Sequence, residues 1–156
     1  MFPQPIAAVI DRVDRLREEV DDHWQIPRDE AVILAQLVRI GRCLSICEIG
    51  TSYGFSTLHL AAAAAGHGGH VHSIDRDPRK IQAAGANLHE AGLADVVSLH
   101  MGDAVEVLRA LQPKAPFDFV FIDATKAQCD AYLDAVLDKL ARMLHLDVSR
   151  GPRGDP

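Results

Sequence analysis

Hydrophobic residues recur along the chain in two patterns, one with helical spacing and one as short apolar runs. Helical spacing predicts a first helix over residues 5–20 and a second over about 28–40, with Pro27 near its first turn. Apolar runs predict strands at 44–49, 70–75, 95–99 and 117–122. Helical segments follow these strands at about 54–65, 78–91, 104–111 and 127–144.

Alternation of strands and helices indicates the class of fold. Strands that are apolar along nearly their whole length are typical of a parallel sheet covered on both faces. We therefore expect an α/β, Rossmann-like, doubly wound parallel sheet with helices on both faces. Residues 1–144 would form a single domain that opens with an N-terminal helix inside 1–25. Residues 145–156, rich in glycine, proline and arginine, would form an irregular tail.

Composition and charge restrict the classes of function. The chain of 156 residues has a formal net charge of −6 and no basic run, which argues against nucleic acid as the main partner. No apolar stretch is long enough to span a membrane, and the N-terminus lacks the pattern of a signal peptide. Cys43, Cys47 and Cys129 form no C-x-x-C pair, so we expect reduced thiols in a cytoplasmic protein.

A glycine turn after the first strand indicates a binding site. Residues 46–57 read I-C-E-I-G-T-S-Y-G-F-S-T, which is a strand, a turn of small residues and the start of a helix. Such a unit commonly holds a nucleotide-like cofactor, and Gly50 and Gly54 would let a ligand approach the backbone. The carboxylate of Glu48 would repel a pyrophosphate, so the turn suits a cationic ligand such as S-adenosylmethionine. A tight turn without a ligand is the alternative.

Acidic residues stand at or just past the ends of the predicted strands. They are Glu48, Asp75, Asp103 and Asp123. The carboxyl ends of parallel strands form one edge of a sheet, where ligands bind in α/β folds. Four acids at one edge therefore indicate a site. Asp75, Asp103 and Asp123 are also compatible with ordinary helix N-caps.

Four segments together resemble the class I S-adenosylmethionine-dependent O-methyltransferases of the catechol and caffeoyl-CoA type. Besides residues 46–57 they are S-I-D-R-D-P, M-G-D-A and F-D-F-V-F-I-D-A-T-K, within a resemblance that covers about 26–140. The resemblance implies methyl transfer from S-adenosylmethionine to a hydroxyl, catechol-like or phenolic, of a small molecule. A cofactor-binding or interaction module without catalysis is the alternative. The absence of G-x-G-x-x-G argues against a nucleotide-dependent oxidoreductase.

The resemblance implies a role for each matching residue at the cofactor. Glu48, Gly50 and Ser56 would hold the methionine end, which Ile26 would cover. Asp75 would accept both ribose hydroxyls, because a carboxylate offers two acceptor oxygens. Asp103 and Ala104 would border the adenine. The cofactor set implied by the matching motifs further contains Thr51, Ser52, Gly54, Arg76 and Asp123.

The same resemblance implies catalytic groups after the fourth strand. Asp123 would be an oxygen ligand of a divalent cation, usually magnesium in this family. Lys126 would be the general base that takes the hydroxyl proton of the acceptor. A solvated lysine in the first turn of a helix is the alternative for Lys126.

The chain departs from the family's pattern after the last matching helix. The family continues through G-G to a fifth strand ending in Asp-Asn, which completes the metal site. This chain reads M-L-H-L-D-V-S-R-G-P-R-G-D-P instead. We therefore expect that the C-terminal strands are missing, that the magnesium site is incomplete and that the fourth strand forms an apolar edge. A short strand containing Leu144, Leu146 and Val148, or a homodimer, would cover that edge.

Overall fold

The computed structural model describes residues 2–21, 25–137, 139 and 140, apart from the side chains of Arg17 and Lys126. The strands are β1 (Ser45–Ile49), β2 (His70–Asp75), β3 (Val97–Met101) and β4 (Phe119–Ile122). The α-helices are α1 (Gln4–Arg15), α2 (Arg28–Gly41), α3 (Phe55–Ala65), α4 (Pro78–Glu90), α5 (Ala104–Ala110) and α6 (Cys129–Leu137). Short 3-10 helices cover Leu16–Glu18, Ala94–Val96 and Lys126–Gln128.

The strands form a parallel sheet in the order β3-β2-β1-β4, as the alternating pattern predicts. β1 is central, and Ile46 lies opposite Val71 of β2 and Phe119 of β4. Every residue of β1 is buried, because helices cover the sheet on both faces. The carboxyl ends of all the strands therefore meet at one edge.

Two hydrophobic cores lie on opposite faces of the sheet. Alternate residues of a strand point to opposite faces, so Ile46 joins one core and Cys47 the other. The first core contains residues of α1, α2, α3 and α4, including Val13, Val38 and Leu58. The second contains residues of α5 and α6, including Leu108 and Val136. The predicted doubly wound arrangement is confirmed.

Some element boundaries differ from those predicted. β3 spans Val97–Met101 and not 95–99, because Asp95 and Val96 belong to a 3-10 turn. The last helix begins at Cys129, after the 3-10 helix Lys126–Gln128, and not at residue 127. Its predicted end at Leu144, the predicted covering strand and the predicted tail at 145–156 lie outside the described residues.

β4 is an edge strand within the described part of the chain. It begins at Phe119 rather than at the predicted Phe117. Phe117 forms an isolated parallel bridge with Leu140, and its N–H donates to the carbonyl of Lys139 at 2.7 Å. After α6 the chain therefore returns to the amino end of β4, where Leu140 pairs with Phe117 in the parallel direction.

The cysteines and the helices of the described residues can be compared with the expectation of reduced thiols and of no membrane-spanning segment. Cys43 and Cys47 are buried, Cys129 is partly buried, and all three are free thiols. None of the described helices has both the length and the hydropathy needed to cross a membrane.

The turn after β1 packs directly against the end of β4. Gly50 has a φ of +106°, and a Cβ atom there would lie 2.0 Å from the carbonyl oxygen of Asp123. Gly54 has a φ of +87°, and its Cβ would lie 3.1 Å from Cβ of Ala84 on α4. The space that each glycine leaves open is thus filled by the protein's own chain.

His72 lies on β2 among other aromatic rings. Its ring stacks on that of His100 at 5.3 Å between centroids, and its Nδ1 lies 3.1 Å from Nε2 of His100. The ring centroid of Phe117 lies 5.8 Å from that of His72 in an edge-to-face arrangement. Burial, and then repulsion by His100 and His70, lowers the pKa of His72 to about 4. The folded protein therefore keeps His72 neutral at pH values at which an unfolded chain would protonate it.

We predict that Gly50→Ala destabilises the fold by more than about 3 kcal/mol, because a backbone contact must open and a positive φ is strained. Urea denaturation would measure this loss. Gly68→Ala is the matched control, since Gly68 also has a positive φ of +79° but open space around its Cβ position. Gly68→Ala should lower the free energy of unfolding by about 1 kcal/mol. Equal losses in the two variants would contradict the importance of the contact with Asp123.

We predict that acid destabilises the protein partly through His72. A lowered pKa means that the unfolded chain binds the extra proton, so this stabilisation is complete above pH 6.5 and is lost as the pH falls towards 4. The expected loss is about 1 to 2 kcal/mol after allowance for solvent screening. Thermal unfolding at several pH values would show a shallower acid slope for His72→Gln than for the wild type. His89→Gln, on an exposed position of α4, should keep the wild-type slope.

Candidate functional site

A cavity of about 750 Å³ opens at the carboxyl edge of the sheet. It lies where ligands bind in open α/β sheets. The structure brings together at this cavity many of the predicted cofactor residues: Gly50, Ser52, Asp75, Arg76, Asp103, Ala104 and Asp123. Three of the four acids predicted at the strand ends are therefore neighbours in one site.

Asp75, at the end of β2, is held in a fixed orientation by backbone groups. Its Oδ2 accepts the N–H of Ser52 at 2.8 Å, and its Oδ1 accepts the N–H of Asp77 at 3.0 Å. Each carboxylate oxygen has further lone pairs. The carboxylate can therefore also accept hydrogen bonds from two adjacent hydroxyls in the cavity. Asp77, and not Asp75, is the N-cap of α4.

Ser52 combines backbone strain with an unsatisfied hydroxyl. It has a φ of +47°, which is unusual for a residue with a side chain. Its buried Oγ has no hydrogen-bond partner among the described atoms. An unpaired buried hydroxyl is costly, and a strained residue of this kind is often found at a ligand site. Ser52 also lines the cavity, so this strained residue belongs to the candidate site.

Asp103 has two functions in the geometry of the site. Its Oδ1 accepts the N–H groups of Val105 and Glu106 at 3.0 and 3.2 Å, so it is the N-cap of α5. The N-cap interpretation of this residue is therefore confirmed. Asp103 and Ala104 also form part of the cavity wall, so capping does not remove them from the site.

Glu48 is fully buried behind the turn and does not line the cavity. Its Oε1 accepts from Ser56 Oγ, and its Oε2 accepts from Thr57 Oγ1 and Ser73 Oγ, each at 2.5 Å. Burial raises the pKa of Glu48 to about 7, although the hydroxyls oppose this shift, and Asp123 adds a smaller upward contribution. The carboxyl group thus fixes α3 and β2 beneath the turn.

Other predicted cofactor residues also lie behind the cavity wall. Ser56 is bonded to Glu48, and Thr51 is buried with its hydroxyl 2.6 Å from that of Ser73. Gly54 is the N-cap of α3. Ile26 packs against the first hydrophobic core. Direct contact of these side chains with a cofactor stays a prediction.

The predicted catalytic residues follow β4. Asp123 is exposed at the cavity, and its N–H donates to the carbonyl of Ile49 at 2.8 Å. Lys126 begins the 3-10 helix Lys126–Gln128. Within the described ranges no group of three or more His, Cys, Asp or Glu side chains is arranged to hold a metal ion. The described donor set therefore does not fit magnesium, which requires several oxygen ligands in octahedral geometry.

Several wall residues were not predicted from the sequence. They are Ile49, Lys80, Gly102, Ala124, Thr125, Gln128 and Tyr132. Tyr132 donates to Gln128 Oε1 at 2.7 Å across one helical turn. Gln128 and Tyr132 are four residues apart and follow soon after Asp123. This helical spacing is the signal that would have placed both residues on one face of the chain beside the cavity.

Curated relatives are similar to this chain over about two thirds of its length. Catechol O-methyltransferase of Mycobacterium tuberculosis is 41% identical over 110 residues, which are 70% of this chain and 47% of that protein. Catechol O-methyltransferase of Niastella koreensis is 31% identical over 111 residues, with 70% and 50% covered. The chain thus spans about half the length of these curated relatives.

Solved structures share the fold. An O-methyltransferase from Bacillus cereus in complex with SAH superposes with a TM-score of 0.78 at 29% identity, covering 86% of this chain and 62% of that one. The O-methyltransferase TomG from Streptomyces achromogenes, in complex with SAM, gives a TM-score of 0.76 at 27% identity, with 90% and 62% covered.

A family-wide comparison extends the match beyond these individual proteins. The sequence model described as O-methyltransferase matches residues 11–148, which include every strand and nearly all of the helices described above. The matched range also contains the glycine turn, Asp75, Asp103 and Asp123, so the same residues that form the cavity wall lie inside it. On these grounds the chain belongs to the O-methyltransferase family.

Proposed function

We propose that this chain binds S-adenosylmethionine and transfers its methyl group to a hydroxyl of a small molecule, catechol-like or phenolic. The observation that carries the proposal is the carboxylate of Asp75, which two backbone N–H groups orient in the wall of the cavity at the carboxyl edge of the sheet. The names of the relatives and the SAH and SAM complexes of the structural neighbours support the same activity.

The cofactor would lie across the carboxyl ends of the strands. Asp75 would accept the ribose hydroxyls, and Asp103 and Ala104 would border the adenine. Ser52 would find a partner for its buried hydroxyl on the ligand. Arg76, beside Asp75, would close the ribose end. The backbone at Gly50, with Asp123 opposite, would bind the ammonium group of the methionine end.

Residues behind the cavity wall would contribute mainly by fixing the turn. Glu48 holds Ser56 and Thr57 at the start of α3. Ser56 can bind the methionine carboxylate directly only if its hydroxyl leaves Glu48, because one hydroxyl donates one hydrogen bond. Thr51 and Gly54 would shape the turn, and Ile26 would cover the methionine end only after a shift from its present packing.

Catalysis would require deprotonation of the acceptor. A phenol is a weak nucleophile until it loses its proton, and Lys126 would accept that proton as general base. The cofactor would supply a methyl group bonded to a positively charged sulfur, and the acceptor oxygen would attack this methyl group. Asp123 would offer one oxygen ligand to a magnesium ion, and the site would stay incomplete within the described residues.

A cofactor-binding or interaction module without catalysis is the second candidate. It is favoured by the incomplete set of metal ligands in the described residues. We further propose a cytoplasmic location, because the thiols are unpaired, and a homodimer formed through the edge of β4. With a net charge of −6, neither nucleic acid nor a membrane is proposed as a partner, and residues 1–144 would act as one domain.

We predict that Asp75→Asn weakens binding of S-adenosylhomocysteine by about 10- to 100-fold, because hydrogen bonds to a charged acceptor are lost. Isothermal titration calorimetry of the purified chain measures this directly. Asp95→Asn, an exposed position outside the cavity, is the control and should bind like the wild type. A folded wild-type chain that binds no S-adenosylhomocysteine would refute the proposed function.

We predict that Lys126→Met lowers the rate of methyl transfer to a catechol by at least about 100-fold, the usual contribution of a general base. Binding of S-adenosylhomocysteine should stay within about twofold of wild type, because the base acts on the acceptor and not on the cofactor. Lys114→Met, an exposed lysine that does not line the cavity, is the control for loss of a lysine. If the wild type binds cofactor but methylates nothing, the second candidate is correct.

A further inference from the structure

Glu48 is fully buried beside the cavity, and its described hydrogen-bond partners are all neutral. The residue has 0% exposure at the end of the central strand, two positions before Gly50 of the cavity wall. Three hydroxyls donate to it, from Ser56, Thr57 and Ser73. An ionised Glu48 therefore gains hydrogen bonds but no opposite charge from these contacts, and its charge remains costly.

A chain of hydroxyls allows Glu48 to exist in two protonation states. Ser73 Oγ lies 2.5 Å from Glu48 Oε2 and 2.6 Å from Thr51 Oγ1, and either hydroxyl of the second pair can donate. With Glu48 ionised, Thr51 donates to Ser73 and Ser73 donates to Glu48. With Glu48 protonated, both donations reverse. Both protonation states keep the hydrogen bonds between Thr51 and Ser73 and between Ser73 and Glu48. Neither state requires a heavy atom to move.

Among the described residues, no cationic group contributes to the pKa of Glu48. Asp123 at the end of β4 and Asp75 at the end of β2 carry the same charge as an ionised Glu48. Burial raises the pKa of the Cys47 thiol on β1 to about 12, and burial lowers the pKa of His59 on α3. Both of these groups are therefore neutral near pH 7. A cationic ligand in the cavity would add the positive charge that favours ionisation of Glu48.

We propose that Glu48 is a positioning residue that senses the charge of the cofactor, losing its proton when cationic S-adenosylmethionine binds. This inference rests on the proposed function. S-adenosylmethionine and S-adenosylhomocysteine would both carry the ammonium group near Gly50, so the sulfonium of S-adenosylmethionine is the charge that distinguishes them. With a strand rise of roughly 3.3 Å per residue, a sulfonium about one residue length beyond the turn would lie roughly 10 Å from Glu48. At that distance it would lower the pKa of a buried carboxyl by about one to two units.

The proton balance follows the reaction. On binding, the proton of Glu48 goes to solvent. In methyl transfer the sulfur–methyl bond breaks, its electron pair stays on sulfur, and an oxygen–methyl bond forms, while the acceptor's hydroxyl proton goes to the base. The sulfur is then neutral, so Glu48 takes a proton from solvent again. The site should therefore prefer S-adenosylmethionine over S-adenosylhomocysteine more strongly at higher pH.

Calorimetric titrations of the wild-type chain test this, with S-adenosylmethionine and S-adenosylhomocysteine at pH 6, 7 and 8. Each titration is run in phosphate and in Tris, whose ionisation enthalpies differ, with a chelator present to exclude divalent cations. We expect release of about half a proton per S-adenosylmethionine at pH 7 and a rise of about tenfold in its affinity between pH 6 and 8. S-adenosylhomocysteine should show a clearly smaller proton release and slope.

The outcomes separate this inference from the proposed function. Equal proton release and equal pH slopes for the two ligands would overturn the role of Glu48 alone. Absence of binding by both ligands at every pH would overturn the proposed function and this inference together.

Variants give a second, independent readout. Glu48→Gln keeps the shape but cannot titrate, so the difference in pH slope between the ligands should disappear. Glu90→Gln, an exposed carboxyl paired with Arg12, should keep the wild-type difference. Persistence of the difference in a folded Glu48→Gln chain would refute the inference. The wild-type titrations decide the question even if that variant does not fold.

Discussion

The close contact between the turn after β1 and the end of β4 is the constraint on which the site depends. A side chain at Gly50 would meet the carbonyl oxygen of Asp123 at 2.0 Å, so only glycine allows these two segments to touch. The contact brings Asp123 to the same cavity as Asp75 and Ser52. It also places β4 next to β1, where Phe121 lies opposite Glu48. The cavity and the acidic edge of the sheet thus depend on one backbone approach.

The fold and the acidic edge could be predicted from the sequence because both depend on local patterns. Apolar strands that alternate with helices determine a parallel sheet, and a parallel sheet brings its strand ends together. Asp75, Asp103 and Asp123 follow directly from that argument. The start of β3 was predicted two residues too early, because Val96 continues the apolar run in sequence although Asp95 and Val96 belong to a 3-10 turn.

The surroundings of Glu48 could not be predicted in the same way. Its position near the end of a strand indicated a ligand contact, but its side chain points to the face covered by α3. There it meets Ser56 and Thr57 from the next helix and Ser73 from the neighbouring strand. Only the register that pairs Glu48 with Ser73 brings these hydroxyls to one carboxyl group. A single sequence does not contain that register.

The bridge between Phe117 and Leu140 sets a direction for the growth of the sheet. Since this pairing is parallel, any strand that extends the sheet along β4 from that point would run towards Asp123 rather than away from it. The parallel direction of this pairing thus determines at which end of the sheet an added strand would finish. The last side chains of such a strand would lie at the acidic end of the cavity. This is the place where the described residues offer too few oxygen ligands for a metal ion.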